Sequence, residues 1–160
     1  MTEKPFKIFV VEDSEWYNKL LVHTLSLNPD YEVKSFFNGK DLLNSLYESP
    51  DIVTLDYRLP DMAGLEVLKT IKNENNDIQV ILISEQKDIE TVVSLFKHGA
   101  YDYITKSNDL KDRLLNTIQN IRNDISLKRE ISTLRREIQK KYSYRQSILG
   151  ESPAIKGVYD

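Results

Sequence analysis

Three carboxylates, a hydroxyl and an ammonium group stand at the ends of short apolar runs in this sequence. Glu12 and Asp13 follow KIFVV, Asp56 follows IVTL, Ser84 follows VILI, and Lys106 follows Tyr101–Thr105. If the runs are parallel strands, all five side chains gather on one edge of one sheet, where open α/β sheets bind ligands. Three anions brought together repel and raise one another's pKa. A divalent cation relieves that conflict, and an all-oxygen set without His or Cys suits Mg2+, which keeps several waters and also takes phosphate oxygens. Lys106 then supplies a second positive charge and Ser84 a donor to a phosphoryl oxygen. Asp56 becomes a nucleophile toward phosphorus, since phosphoryl transfer is mainly positioning and charge stabilisation. Singly, each residue has an ordinary reading: Glu12 and Asp13 as acids at a helix start, Asp56 as a turn residue, Ser84 as a helix cap, Lys106 as a surface lysine. Jointly, each at the end of its own run, they favour a site.

The elements that must position this set are legible in outline. Lys7–Val11, Glu32–Phe36, Ile52–Leu55, Val80–Ile83 and Tyr101–Thr105 are short runs rich in Val, Ile and Phe. Runs apolar on both faces suit parallel strands covered by helices on both sides. Helical spacing lies between them. Leu20, Leu21, Thr24 and Leu27 share a face after Ser14, and Leu42, Leu43 and Leu46 share one after Gly39. Leu65, Leu68 and Ile71 repeat after Gly64, and Ile89, Val92, Val93 and Phe96 repeat before a C-cap at Gly99. Five β-then-α alternations within about 120 residues predict one open parallel sheet with right-handed crossovers.

From Ser107 to Leu149 no Gly or Pro interrupts the chain, so a fifth helix starting near Asn108-Asp109 has no stop for some thirty residues. Leu114, Ile118, Ile121 and Ile125 follow a 4-3-4 spacing, and Leu127, Ile131, Leu134 and Ile138 repeat it, shifted by one residue near Ser126. The distal half of such a helix extends past a small domain and is expected to pair with another helix, giving a homodimer through the C-terminal helix. The alternative is a single solvated charged helix. Lys128, Arg129, Arg135, Arg136, Lys140, Lys141 and Arg145 make this stretch basic, but interleaved Glu and the lack of a recognition-helix pattern favour a solvated coiled-coil surface over nucleic acid.

At 160 residues the chain has room for one core-bearing domain and a tail. A formal net charge of −3 gives no reason to expect nucleic-acid binding, and the absence of cysteine excludes disulfides, zinc thiolates and thiol catalysis. No basic segment followed by a long apolar stretch opens the chain, and no apolar run approaches a bilayer span. The expectation is a cytoplasmic protein without membrane contact.

The strings Val10-Val11-Glu12-Asp13, Asp56-Tyr57-Arg58-Leu59-Pro60-Asp61-Met62-Ala63-Gly64, Ile83-Ser84 and Gly99-Ala100-Tyr101-Asp102-Tyr103-Ile104-Thr105-Lys106 together resemble the response regulator receiver domain family over roughly residues 5–125. The resemblance implies a flavodoxin-like (CheY-like) α/β fold, a five-stranded parallel sheet in the order 2-1-3-4-5. It implies that Asp56 takes phosphate from a sensor histidine kinase or phosphotransfer protein. Mg2+ would be bound by Asp13, Asp56 and the Arg58 main-chain carbonyl, with Glu12 acting through a metal-bound water. Ser84 and Lys106 would hold the phosphoryl group, and Tyr103 would change rotamer when Ser84 is drawn in. Two positions depart from the family pattern. Glu85 stands where a small residue usually follows the hydroxyl, which makes it, with the neighbouring Gln86, a candidate modulator of phosphotransfer. Ser107 stands where proline usually follows the lysine.

The segment Ser147–Tyr159 resembles the opening of the AAA+ ATPase domain of NtrC-type, sigma-54-dependent activators. The resulting division is a receiver domain over 5–125, a helical coiled-coil linker over 126–146 and a truncated start of an AAA+ domain over 147–160. No Walker A loop follows that start, so this chain itself is expected neither to hydrolyse ATP nor to carry a DNA-binding domain. Two other functions compete with a phosphorylation-controlled signalling module. A phosphoaspartate-forming hydrolase would use the same metal, Asp and Lys, but needs a second acid two residues after the nucleophile, where this chain has Arg58. A receiver-like unit serving only in dimerisation would have no use for the acidic set.

Overall fold

The computed structural model describes residues 5–85 and 88–149. In chain order these form β1 (Phe6–Val11), α1 (Glu15–Ser26), β2 (Tyr31–Phe36), α2 (Gly39–Asn44), a 3-10 turn (Leu46–Glu48), β3 (Ile52–Asp56), α3 (Gly64–Glu74), β4 (Gln79–Ser84), α4 (Ile89–Lys97), β5 (Asp102–Thr105) and α5 (Leu110–Leu149). The strands make one sheet in the order β2-β1-β3-β4-β5, and every neighbouring pair is parallel. This is the order expected from the sequence.

The central strands are apolar on both faces because helices cover both. Ile8, Phe9 and Val10 of β1, Ile52 and Leu55 of β3, and Ile81 and Leu82 of β4 are fully buried. Each such side chain contributes roughly 1.5–3 kcal/mol by leaving water. The edge strand β2 alternates half-buried with exposed residues over most of its length, as one covered face requires.

Two helices bury only part of the faces their spacing suggested, Leu21 and Thr24 in α1 and Val92, partly, in α4. In α1 the buried residues are Asn18, Leu21, Thr24 and Leu25, and Leu27 lies past the helix end, exposed. In α4 only Leu95 is buried, while Ile89, Val93 and Phe96 of the expected apolar face open to solvent. A helix on a sheet contacts it along a narrow stripe, and in α4 the apolar arc is wider than that contact.

By compactness the chain divides into two units after Gln119, within α5. In the first unit Leu110, Leu114 and Ile118 are buried, and Thr117 donates to the Asp102 carboxylate at 3.1 Å. In the second, Leu127, Ile131, Leu134 and Ile138 are exposed. Ser147 to Leu149 continue α5. The remainder of the segment that resembles an ATPase start, from Gly150 onward, lies outside the described residues, as does Gln86.

Candidate functional site

Strand register brings the chemistry-bearing residues to one edge. Asp56 ends β3 opposite Ile83, and Ser84 ends β4 opposite Thr105, so Lys106 is the next residue outward. The Lys106 amide donates to the Ser84 carbonyl at 3.0 Å, which extends that register by one residue. Glu12 follows β1, and its amide donates to Phe36 O at 3.0 Å.

The turn from β1 into α1 is fixed by side chains. Ser14 caps the helix by accepting from Tyr17 N at 3.4 Å, and its own amide donates to Glu12 Oε2 at 3.1 Å. Asn18, buried, donates through Nδ2 to Glu12 O at 2.9 Å and Phe36 O at 3.1 Å. That side-chain amide satisfies the Glu12 carbonyl, which would otherwise be costly to bury, and adds a second donor to Phe36 O beside the Glu12 amide. The turn after β3 is held by a bridge between Arg58 and Ala63 and by Gly64 N donating to Tyr57 O at 2.7 Å. A Cβ at residue 64 would lie 2.7 Å from Tyr57 Cα, so the close approach requires glycine. Asp61 in the same turn accepts from the amides of Gly39 and Lys40 at 2.9 and 2.8 Å, capping α2.

These elements enclose an open crevice of about 560 Å³ lined by Glu12, Asp13, Tyr17, Asp56, Ser84, Lys106 and their neighbours Ser14, Arg58 and Glu85. Ligand-competent oxygens of Glu12, Asp13 and Asp56 all lie within 4.8 Å of one another. Asp56 Oδ1 accepts from Arg58 N at 3.2 Å. Lys106 Nζ lies 2.7 Å from Glu12 Oε1 and 3.5 Å from Asp56 Oδ2. The shorter contact is close but poorly aligned as a hydrogen bond, so it acts mainly as a charge–charge attraction. Oxygen donors alone, three of them anionic and close together, fit a hard divalent cation such as Mg2+.

Electrostatics bear the marks of crowding. Burial, helped by the neighbouring Asp56 carboxylate, pushes Glu12 up to about 7, even though Lys106 and the Ser14 amide pull the other way. Burial works against the charge on Lys106, yet the contacts with Glu12 and Asp56 outweigh it and hold the lysine above its ordinary value. Tyr103 pairs with Leu82 across the sheet and belongs to the buried core cluster. Its hydroxyl is buried without an aligned hydrogen-bond partner, and burial raises its pKa while nearby Ser84 partly offsets that. Glu85 is exposed at the crevice mouth.

The structure therefore brings together Glu12, Asp13, Asp56, Ser84 and Lys106, with Arg58 and Glu85 at the rim and Tyr103 behind Ser84. Tyr17 was not singled out from the sequence. Its signal was its place four residues beyond Asp13, one turn into the helix that the acidic pair precedes.

A parallel sheet in the order 2-1-3-4-5 with an acidic crevice and a lysine at its carboxyl edge defines the class of flavodoxin-like α/β domains. Residues 8–119 match the response regulator receiver domain, and the chain belongs to this family, the receivers of two-component response regulators. It is 30% identical over 131 residues to the regulatory protein LuxO of Vibrio cholerae, covering 81% of this chain and 27% of that protein. With the regulatory protein AtoC of Escherichia coli it shares 29% identity over 153 residues, 95% of this chain and 32% of AtoC. A solved signal receiver domain of a putative LuxO repressor protein from Vibrio parahaemolyticus superposes with a TM-score of 0.74 at 25% identity, covering 80% of this chain and 98% of that one. The chain thus spans about a third or less of the curated relatives' length.

Proposed function

We propose that Asp56 is the phosphoacceptor of a two-component phosphorelay, taking its phosphoryl group from a sensor histidine kinase or phosphotransfer protein with the help of Mg2+. The observation that carries this reading is the meeting of three carboxylates within 4.8 Å beside a buried lysine, with Asp56 at the end of the central strand. Asp13, Asp56 and the Arg58 carbonyl are the groups that would hold Mg2+, with Glu12 reaching it through a water. When bound, the cation offsets the carboxylate charge and draws charge from the phosphoryl oxygens. The Asp56 oxygen attacks phosphorus. A P–O bond forms as the P–N bond of the donor phosphohistidine breaks, and the imidazole leaves with the electron pair. Lys106 and the Ser84 hydroxyl orient and neutralise the oxygens of the transferred group. Water later cleaves the acyl phosphate and restores Asp56.

The readout follows from two features. Tyr103 sits behind Ser84 with an unpaired buried hydroxyl, a state that a movement of Ser84 toward a phosphoryl group would disturb. The exposed stripe Leu127, Ile131, Leu134 and Ile138 places Leu and Ile alternately at coiled-coil seam positions, a pattern that favours two strands, so the second partner is another copy of this chain. Glu130 and Glu137 flank the seam on one side, Lys128 and Arg135 on the other, as complementary pairing needs. By resemblance of residues 147–159, and with an alignment to AtoC that spans 95% of the chain, the context is a sigma-54-dependent regulator whose ATPase the receiver controls. Arg58, standing where a phosphoaspartate hydrolase needs an acid, argues against turnover of external substrates. Among the described residues no helix is long and apolar enough to cross a membrane, and we place the protein in the cytoplasm.

With Mg2+ and a small phosphodonor, the protein is expected to gain one phosphoryl group per chain, and Asp56→Asn none. Rapid multiple turnover would instead favour a hydrolase. Beryllofluoride with Mg2+ is expected to change the oligomeric mass, and identical masses would remove dimerisation as the switched quantity.

A further inference from the structure

We propose that Tyr17 is a positioning residue for the phosphoryl site, its ring holding the Lys106 ammonium in the crevice against Glu12 and within reach of Asp56. This rests on the phosphoacceptor reading above. Lys106 Nζ lies 4.3 Å from the Tyr17 ring centroid, well inside the roughly 6 Å over which a ring face attracts a cation. The lysine side chain is only 8% exposed, so the ammonium has exchanged most of its water for two carboxylates and a ring face. Desolvation is the condition under which a cation–π contact is strongest.

The ring is itself held. Tyr17 lies in the first turn of α1, with its amide on the Ser14 cap and the adjacent Asn18 tied to two backbone carbonyls. The Trp16 ring packs edge-on against it, centroids 4.8 Å apart and planes at 86°. Lysine, by contrast, carries its charge on a flexible four-carbon stem. Ser107 after it does not fix the backbone as a proline would, which leaves the ammonium's place to its side-chain contacts. The contact with Glu12 is close but poorly aligned. Without the ring, that attraction and the longer contact with Asp56, 3.5 Å, are left to oppose the freedom of the stem, and the ammonium spends less time where a phosphoryl oxygen arrives.

The test compares Tyr17→Leu, which keeps apolar bulk without a ring face, with Tyr17→Phe, which keeps the face. With Mg2+ and acetyl phosphate, Tyr17→Leu is expected to slow phosphorylation about three- to tenfold and Tyr17→Phe to restore the rate. In a Lys106→Ala background, Tyr17→Leu is expected to add no further loss. Without any donor, the Lys106 Hε resonances should be shifted upfield by the ring in wild type and Tyr17→Phe, and return to ordinary values in Tyr17→Leu. Unshifted resonances in the wild type, equal losses in both variants, or a loss that persists without Lys106 would each overturn the proposal. A wild-type protein that takes no phosphoryl group would sink the phosphoacceptor reading instead, and the ring-current comparison would still decide whether Tyr17 holds Lys106.

Discussion

Leu114 and Ile118 are wholly buried, whereas Leu134 is half exposed and Ile138 more so, yet both pairs repeat apolar residues at one spacing along the same helix. The same periodicity thus has opposite fates. Up to Gln119 the helix belongs to a unit with its own core, and its stripe has been matched by that core. Ile121 is still buried, but from Leu127 onward the stripe is a surface that one chain leaves in water. The contrast recurs between carboxylates of one crevice. Glu12 is 1% exposed and carries a raised pKa, whereas Glu85 stands at the mouth in solvent. In both cases residue type is equal and surroundings decide the role.

The sharpest way to break the helix comparison is the same truncation at both places. Leu114→Ala should cost about 2–5 kcal/mol in a denaturant titration, because it leaves a cavity in a closed core. Leu134→Ala should leave the receiver's stability within ~0.5 kcal/mol while shifting the monomer–dimer balance toward monomer by analytical ultracentrifugation. Equal costs at the two sites would mean that the distal stripe is not an intermolecular seam.

Glu12 gives the next effect. Its value in the folded protein, about 7, lies above its ordinary 4.5, so between these pH values the folded state holds a proton that the unfolded chain has lost. Metal-free stability should therefore be fullest below about pH 4.5 and be lost as pH rises from there through 7, by on the order of 2–3 kcal/mol. Lys106 stays charged across that window. Mg2+ should reverse the trend by binding the ionised form, with apparent affinity higher at pH 8 than at pH 6. A flat melting temperature without metal would show that Glu12 is not held protonated.

Glu85 gives the smallest effect. An exposed anion at the crevice mouth repels an anionic donor only weakly, so Glu85→Ala should speed phosphorylation by acetyl phosphate about two- to fivefold. Unchanged phosphorylation and hydrolysis rates would remove Glu85 as a modulator.

The fold was readable because its signals are local and redundant. Continuous apolar runs at β1, β3 and β4 admit few arrangements other than covered parallel strands. The gathering of Glu12, Asp13, Asp56, Ser84 and Lys106 was readable for the same reason, since each ends or directly follows a strand and register places strand ends together. Which face of α4 meets the sheet was not readable. Ile89, Val93 and Phe96 are as apolar as Leu95, and only the three-dimensional contact separates them. Tyr17 was hidden because an aromatic in a first helical turn reads as core or surface with equal ease. Its meaning comes from a lysine 89 positions away in the chain.

The capping of α2 by Asp61 has a consequence for observing the molecule. Both carboxylate oxygens are taken by the amides of Gly39 and Lys40, so a turn that begins at β3 supplies the protection of two amides some twenty residues earlier. Hydrogen–deuterium exchange at those amides therefore measures the position of the turn after β3. It is a remote gauge that requires no label inside the crevice.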